Sequence, residues 1–258
     1  MKEILISAPV RNRAWILPEY LERIENIKYG KQFISVYFLL NDSTDESGHI
    51  LNEWKEKNKH LYKSIEIQEM NFGNPRDWGE DRSLPCKNPR QKYTYNTLAK
   101  LRTKILEHAR YLNVDYILSI DTDVLVNPDI LWNLLREKRN IIASLIVNGI
   151  TKDEEIKAYN FLPLDRETPR TLLPKKVFKV AVTGACYLIS KKVFMNEEID
   201  YVGLSGTAED KTFCKKAIAQ GFDCFVLKDL QEHILSKQRY LQGQLQIQVK
   251  KKISQEKK

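Results

Sequence analysis

Two carboxylates stand one residue apart in Ser119-Ile120-Asp121-Thr122-Asp123, directly after an apolar run from Tyr116 to Ile120. At the end of a buried strand such a pair can share a divalent cation and a ribose. Mg2+ and Mn2+ prefer oxygen ligands and bridge the phosphates of their substrates. Asp121 is therefore a candidate for metal or ribose, and Asp123 for metal. Asp-x-Asp alone is common on solvated turns, so its surroundings carry the weight.

Other polar clusters sit where predicted strands stop. Pro9-Val10-Arg11-Asn12-Arg13 follows Ile4-Leu5-Ile6, and Asn41-Asp42-Ser43-Thr44-Asp45-Glu46-Ser47 follows Phe33 to Leu40. A guanidinium fork in such a loop suits phosphate; Arg11 and Arg13 either serve that role or face solvent. Thr183-Gly184-Ala185-Cys186-Tyr187-Leu188-Ile189 opens with a glycine that marks either a bulge or a close backbone approach. Glu209 and Asp210 precede a helical pattern. There they are either reactive carboxylates or, through Thr207 with Asp210, a capping box. Glu232-His233-Ile234 follows the last predicted strand. His49, His60 and His108 lack ligand spacing and read as surface residues.

The elements that must position these clusters are legible from periodicity. Helical spacing is seen from Pro18 to Ile27, from Ser47 to about Asn58, from about Thr94 to Tyr111 and from Ala208 to Gln220. Gly221 reads as a left-handed cap. Asn127-Pro128 predicts a helix start, with Asn as N-cap and Pro at the first helical position. Strands are expected around Ile65 and Ile67, at Ile141 to Val147, Val177 to Val182, Ala185 to Ile189 and Phe222 to Leu227. Residues 71 to 91, with Gly73, Pro75, Gly79, Pro85 and Pro89, read as a long loop. It is either a lid over a ligand or a plain excursion. Strand–helix alternation implies an α/β fold with a mainly parallel sheet, a mixed edge, and ligands at the carboxyl ends of the strands.

Taken together these motifs resemble the GT-A glycosyltransferases, especially the large family 2, over roughly Glu3 to Leu235. The resemblance implies a Rossmann-like nucleotide-binding sheet flanked by helices, as residues 1–235, and transfer of a sugar from a nucleotide-sugar donor. It matches Pro9, Arg11 and Asn12 to the first strand-end loop and Asp42 to the base-binding segment. The family has a second acid and a glycine there, where this chain has Asn41 and no glycine. Arg102 matches a basic residue that meets the donor; the alternative is a solvated helix face. Gly184 matches the glycine that lets the chain approach the sugar. Glu209 and Asp210 match a Glu-Asp segment that supplies the base in inverting members, with Asp210 the base and Glu209 orienting acceptor or loop. His233 matches a late metal ligand beside Asp121 and Asp123, with Mn2+ or Mg2+ the cation. A departing nucleoside phosphate builds negative charge that such a cation stabilises.

Composition limits the alternatives. The 258 residues fit one large domain, and their net charge is +8. Seven Lys/Arg against Glu256 give residues 236–258 a net +6, so residues 1–235 carry only +2. Nucleic-acid binding across the body is therefore disfavoured. The tail combines Tyr240, Leu241, Leu245, Ile247 and Val249 with Lys250, Lys251 and Lys252, which predicts a basic amphipathic segment able to touch an anionic membrane. The alternatives are a solvated tail or an oligomer contact. Four cysteines without CxxC spacing read as reduced thiols. The N-terminus does not read as a signal peptide, and no apolar run approaches bilayer length, so a cytoplasmic or peripheral location is expected. The acceptor stays open among a glycan, a lipid-linked glycan, a protein or another hydroxyl compound. The rival enzyme reading is a nucleotidyltransferase, against which the glycine-free Ala8 to Ala14 loop argues. A non-catalytic nucleotide-sugar-binding protein is the third alternative.

Overall fold

The computed structural model describes residues 1–72, 89–148, 160–164, 176–203, 207–234 and 237. The first half runs β1 (Ile4–Val10), α1 (Leu17–Glu25), β2 (Ile34–Leu40), α2 (Ser47–Asn58), β3 (Ser64–Glu69), α3 (Pro89–Leu112) and β4 (Tyr116–Ile120). The second runs β5 (Val124–Leu125), α4 (Ile130–Arg136), β6 (Ile141–Asn148), β7 (Phe161–Leu162), β8 (Val177–Val180), β9 (Val182–Thr183) and β10 (Cys186–Ser190). It closes with α5 (Lys191–Phe194), α6 (Glu209–Ala219) and β11 (Cys224–His233).

Among the described residues the main sheet has the order β3-β2-β1-β4-β10-β6-β11-β5, with β8 added on β11. β3, β2, β1 and β4 are parallel. β10 is antiparallel to both β4 and β6, and β11 returns parallel to β6. The chain leaves β1 toward β2 on one side and reaches β4 on the other, so the carboxyl end of β1 is a topological switch point. Crevices for ligands open at such points.

Continuous apolar strands are explained by burial on both faces. β2, Ile-Ser-Val-Tyr-Phe-Leu-Leu, is buried at every position. Alternate residues feed two cores, as the two-residue repeat of a strand requires. Ile4, Ile6, Val36 and Phe38 pack with Tyr20 and Ile24 of α1, Trp54 of α2 and Leu131 of α4. Leu5, Tyr37 and Leu39 pack on the other face with Leu101 and Ile105 of α3 and Phe213 of α6. The result is three layers, helices on both faces of the sheet.

Three local expectations are corrected. Asn127-Pro128 forms a turn before α4 rather than its cap: Ile130 N–H donates to Asn127 O, and Asp129 occupies the cap position. The Pro128 carbonyl is taken by Lys28 N–H at 2.8 Å, which anchors this turn to the end of α1. α3 begins at Pro89, earlier than its apolar face indicated. His108 is not a plain surface residue. Its ring stacks on Tyr37 at 3.9 Å, and burial pulls its pKa down. Gly221 does carry φ +81 after α6, where Phe222 N–H bonds back to Ala217 O. The proposed lid lies almost wholly outside the described residues, and so does the basic tail apart from Lys237.

Candidate active site

The loops that leave β1 and β2 are laced together. Asn12, with φ 48, donates its N–H to Ser43 Oγ and accepts Thr44 N–H on Oδ1 at 2.8 Å. Arg13 N–H donates to Ser47 Oγ and Ala14 N–H to Asp45 Oδ2. These amides are therefore committed to side chains. Asp42, with φ 42, holds Asn41 Nδ2 and Phe72 N–H on Oδ2. Asn12 and Asp42 thus shape the loops. Pro9 and Arg11 line a small cleft of about 110 Å3, together with Arg13, Asn41, Thr97 and Thr122.

The Asp-x-Asp turn closes this cleft. Val124 N–H caps it by donating to Asp121 O, and Asp121 N–H donates across to Ala185 O at 2.7 Å. Asp123 is 6% exposed and accepts Arg13 Nη2 at 3.4 Å. The chain end of β11 is pinned beside it: His233 pairs with Val124, and Ile234 N–H donates to Asp123 O. His233 thus belongs to this turn by its backbone; its side chain lies outside the described residues.

Arg102 corrects the alternative of a solvated helix face, being only 4% exposed. Its Nη2 donates to Asp121 Oδ1 at 2.6 Å, its Nη1 to Ser119 Oγ at 3.2 Å and its Nε to Glu209 Oε1 at 3.3 Å. One planar fork therefore ties the Asp-x-Asp turn to the first residue of α6, 88 positions further along the chain from Asp121. Ser119 carries no sequence signal beyond its place in the strand, and its part in this network was not foreseen.

Glu209 and Asp210 are not a capping box with Thr207. Ala208 is the N-cap residue of α6, and no side chain caps the helix. Asp210 instead turns toward the sheet and fits against Gly184, where an added Cβ would lie 2.9 Å from Oδ1 and nearer still to Oδ2. Its Oδ1 is buried with no hydrogen-bond partner. Burial, then the neighbouring Glu209 charge, hold the Asp210 carboxyl well above the usual carboxylate range, against the pull of Arg102. Burial raises Glu209 too, opposed by the same guanidinium. Gly184 is a place of close approach, one of the two readings its sequence allowed. The left-handed residue is its neighbour Ala185, φ 65, and what Gly184 supplies is room for Asp210.

Beyond Gly184 lies a second cavity, of about 280 Å3, reached by Asp210, Lys211 and Asn160. Asn160 stitches its wall, donating from Nδ2 to Ser144 O at 2.6 Å and accepting Ile146 N–H on Oδ1. No motif announced Asn160. The two cavities share no lining residue. Among the described residues no three His, Cys, Asp or Glu side chains gather as a metal cluster, and no helix is long and apolar enough to cross a membrane. Cys186, Cys214 and Cys224 are buried free thiols.

The model of glycosyltransferase family 25, N-terminal domain, matches residues 1–152. Procollagen galactosyltransferase 1 of Danio rerio is 31% identical over 144 residues, which are 55% of this chain and 23% of the relative. Procollagen galactosyltransferase 1-B of Xenopus laevis is 30% identical over 204 residues, 77% of this chain and 33% of the relative. The chain thus spans a quarter to a third of the length of these curated relatives. Among solved structures, S. aureus TarS 1-349 in complex with UDP-GlcNAc superposes with a TM-score of 0.57 at 16% identity, covering 89% of this chain and 58% of that one. The mannosyltransferase PcManGT from Pyrobaculum calidifontis, in complex with GDP-Man and Mn2+, gives 0.56 at 12% identity, covering 90% and 56%. At such identities the likeness speaks for the fold, which is the GT-A fold.

Proposed function

The chain belongs to glycosyltransferase family 25, and from that premise we propose that it moves a sugar from a nucleotide-sugar donor onto an acceptor hydroxyl, with a divalent cation and inversion at the anomeric carbon. One observation carries the reading. The buried Arg102 holds the Asp-x-Asp acid Asp121 and the α6 acid Glu209 in a single network, next to the partnerless Asp210 carboxyl. On this reading the donor side and the acceptor side of the reaction meet at Arg102. The relatives' names point to galactose as the first donor sugar to try, and the TarS complex to a uridine diphosphate carrier.

The residues present fit a hard cation. Asp121 and Asp123 offer carboxylate oxygens on a tight turn, and one oxygen of each is held by an arginine, Arg102 or Arg13. When bound, Mn2+ or Mg2+ would neutralise charge on the departing diphosphate. The chain's own residues do the rest. Pro9, Arg11 and Thr122 line the donor cleft. Arg102 fixes Asp121 and Glu209. Asp210 accepts the proton of the attacking hydroxyl, a role suited to a carboxylate that burial makes more basic than usual.

The loop after β1 speaks against nucleotidyl transfer. Its amides at Asn12, Arg13 and Ala14 are spent on side chains, so no backbone cradle for phosphates is on offer there. The proposal includes the basic tail as a contact with an anionic membrane surface. Transfer is tested by hydrolysis of UDP-sugars in the absence of acceptor. EDTA should abolish it and Mn2+ restore it, and Asp123→Ala should lose it. A folded Asp123→Ala protein with full activity would remove the metal assignment.

A further inference from the structure

β6 begins Ile-Ile-Ala-Ser-Leu-Ile-Val, and Ser144, the one polar residue of that run, is fully buried. The neighbouring strand sets a second buried polar side chain against it, Gln231 of β11, only 2% exposed. A buried amide costs stability unless both of its ends are bonded, and both are. Gln231 Nε2 donates to Ser144 Oγ at 3.2 Å and to Asp229 O at 3.4 Å. Its Oε1 accepts the Asn127 N–H at 2.7 Å. Ser144 in turn donates from Oγ to Asp229 O, also at 2.7 Å. The register shift between Leu227 and Leu230 makes room for this, because it leaves Lys228 and Asp229 outside the ladder with β6. Bulges of this kind re-aim side chains beside functional sites.

We propose that Gln231 is a positioning residue for the cation site: it holds the Asp-x-Asp turn, and Asp121 and Asp123 with it, in fixed register against β6. The inference rests on the metal reading above. The turn runs directly into β5, which has two residues and pairs with β11 through Leu125–Glu232 and Val124–His233. So short an edge strand is a weak anchor. Two residues beyond it, Asn127 is tied by Gln231 to Ser144 in β6, a strand that is not a neighbour of β5 in the sheet. Ser144 engages only one end of the amide, and Oε1 reaches the other way, toward the turn. An apolar residue of similar length would fill the same space and release that tie. Mg2+ in particular demands near-ideal oxygen geometry, so a small displacement of either carboxylate weakens binding.

The test compares full-length wild type with Gln231→Met and with Val193→Ala. Val193 is a fully buried residue of α5, which follows the end of β10 that pairs with Tyr116, at the opposite end of β4 from the turn. It serves as a control for stability alone, followed by the midpoint of urea unfolding. Mn2+ is titrated in the presence of UDP, and the free ion is read by electron paramagnetic resonance. Gln231→Met should bind Mn2+ about tenfold more weakly than wild type, the usual scale for losing a group that orients metal ligands. Val193→Ala should bind it like wild type despite a lower urea midpoint. Hydrogen exchange supplies a readout without metal. In Gln231→Met the amides of residues 124–127 should exchange at least tenfold faster relative to those of β1, and in Val193→Ala they should not.

Unchanged Mn2+ affinity in Gln231→Met, or an equal loss in both variants, would overturn the inference. Wild type that binds no Mn2+ with UDP counts against the metal reading itself, and hydrogen exchange then decides the role of Gln231. Selective loosening of the turn upholds that role, and unchanged exchange refutes it. Should Gln231→Met fail to fold, Ser144→Ala, which removes the hydroxyl that Gln231 Nε2 meets, is read by the same two measurements.

Discussion

The carboxylate of Asp210 fills the space that a side chain at Gly184 would need. Two segments distant in sequence, the turn before β10 and the first turn of α6, thus meet with no room to spare. Gly184→Ala must push Asp210 aside, because the obstructing atoms are its carboxyl group. Turnover should fall by at least about 10²-fold, the scale expected when a general base is displaced, with a stability loss of about 1–3 kcal/mol from overpacking. Steady-state kinetics and urea denaturation measure the two. Unchanged turnover would mean that the position of Asp210 is unimportant.

Arg102 should be irreplaceable by lysine. A buried guanidinium serves Asp121, Ser119 and Glu209 at once, which a single ammonium cannot reproduce. Arg102→Ala leaves two carboxylates without their cation and should cost about 3–5 kcal/mol. Arg102→Lys should recover part of that stability but little of the turnover. Equal recovery of both would make Arg102 a purely structural residue.

Asp210→Asn should reduce kcat by about 10²–10⁴ while donor affinity is retained, measured by calorimetry with UDP. Loss of donor binding would assign Asp210 to the donor site instead.

The same variant reports the titration of Asp210 in the folded state. Its folded pKa is raised above the unfolded value of about 3.9. The stability this group contributes is therefore fully present below that value and is lost as pH rises through the folded pKa. Wild type should lose stability relative to Asp210→Asn as pH rises above the unfolded value, read as a narrowing or reversing difference in Tm. A difference that widens with pH would show an ionised, stabilising carboxylate.

Gly221→Ala isolates backbone strain from contact. Its φ is +81 and nothing lies within 4 Å of an added Cβ, so the expected cost is about 1 kcal/mol. Donor hydrolysis should be unaffected, since Gly221 lies at the opposite end of α6 from Glu209 and Asp210.

Much of the frame was legible along the chain, and the reasons are local. β4 and α2 begin and end where their patterning placed them, because a doubly buried strand is continuously apolar and α2 follows a run of turn formers. Gly221 was readable because only a left-handed residue ends that helix there. The strand-end clusters were readable as a set, since each polar loop follows an apolar run and the parallel half of the sheet sends them to one edge. Asn127-Pro128 misled because cap preferences are shared by simple turns, and a hydrogen bond from Lys28 settles which of the two forms.

By itself the sequence determined the α/β class, the mainly parallel sheet and the carboxylate-rich edge, since hydrophobic periodicity and turn residues act within a few positions of one another. Tertiary structure alone decided the pairings across that edge. Arg102 looks like any helical arginine until β4 and α6 converge on it and exclude water. Gly184 looks like a bulge until Asp210, 26 positions later, takes the space its missing side chain leaves. Asn160 has no signature, because its amide matters only where β6 and the Thr183–Gly184 turn run out of backbone partners. Charge pairing, close packing and desolvation depend on distances in space, and a linear pattern carries no record of those.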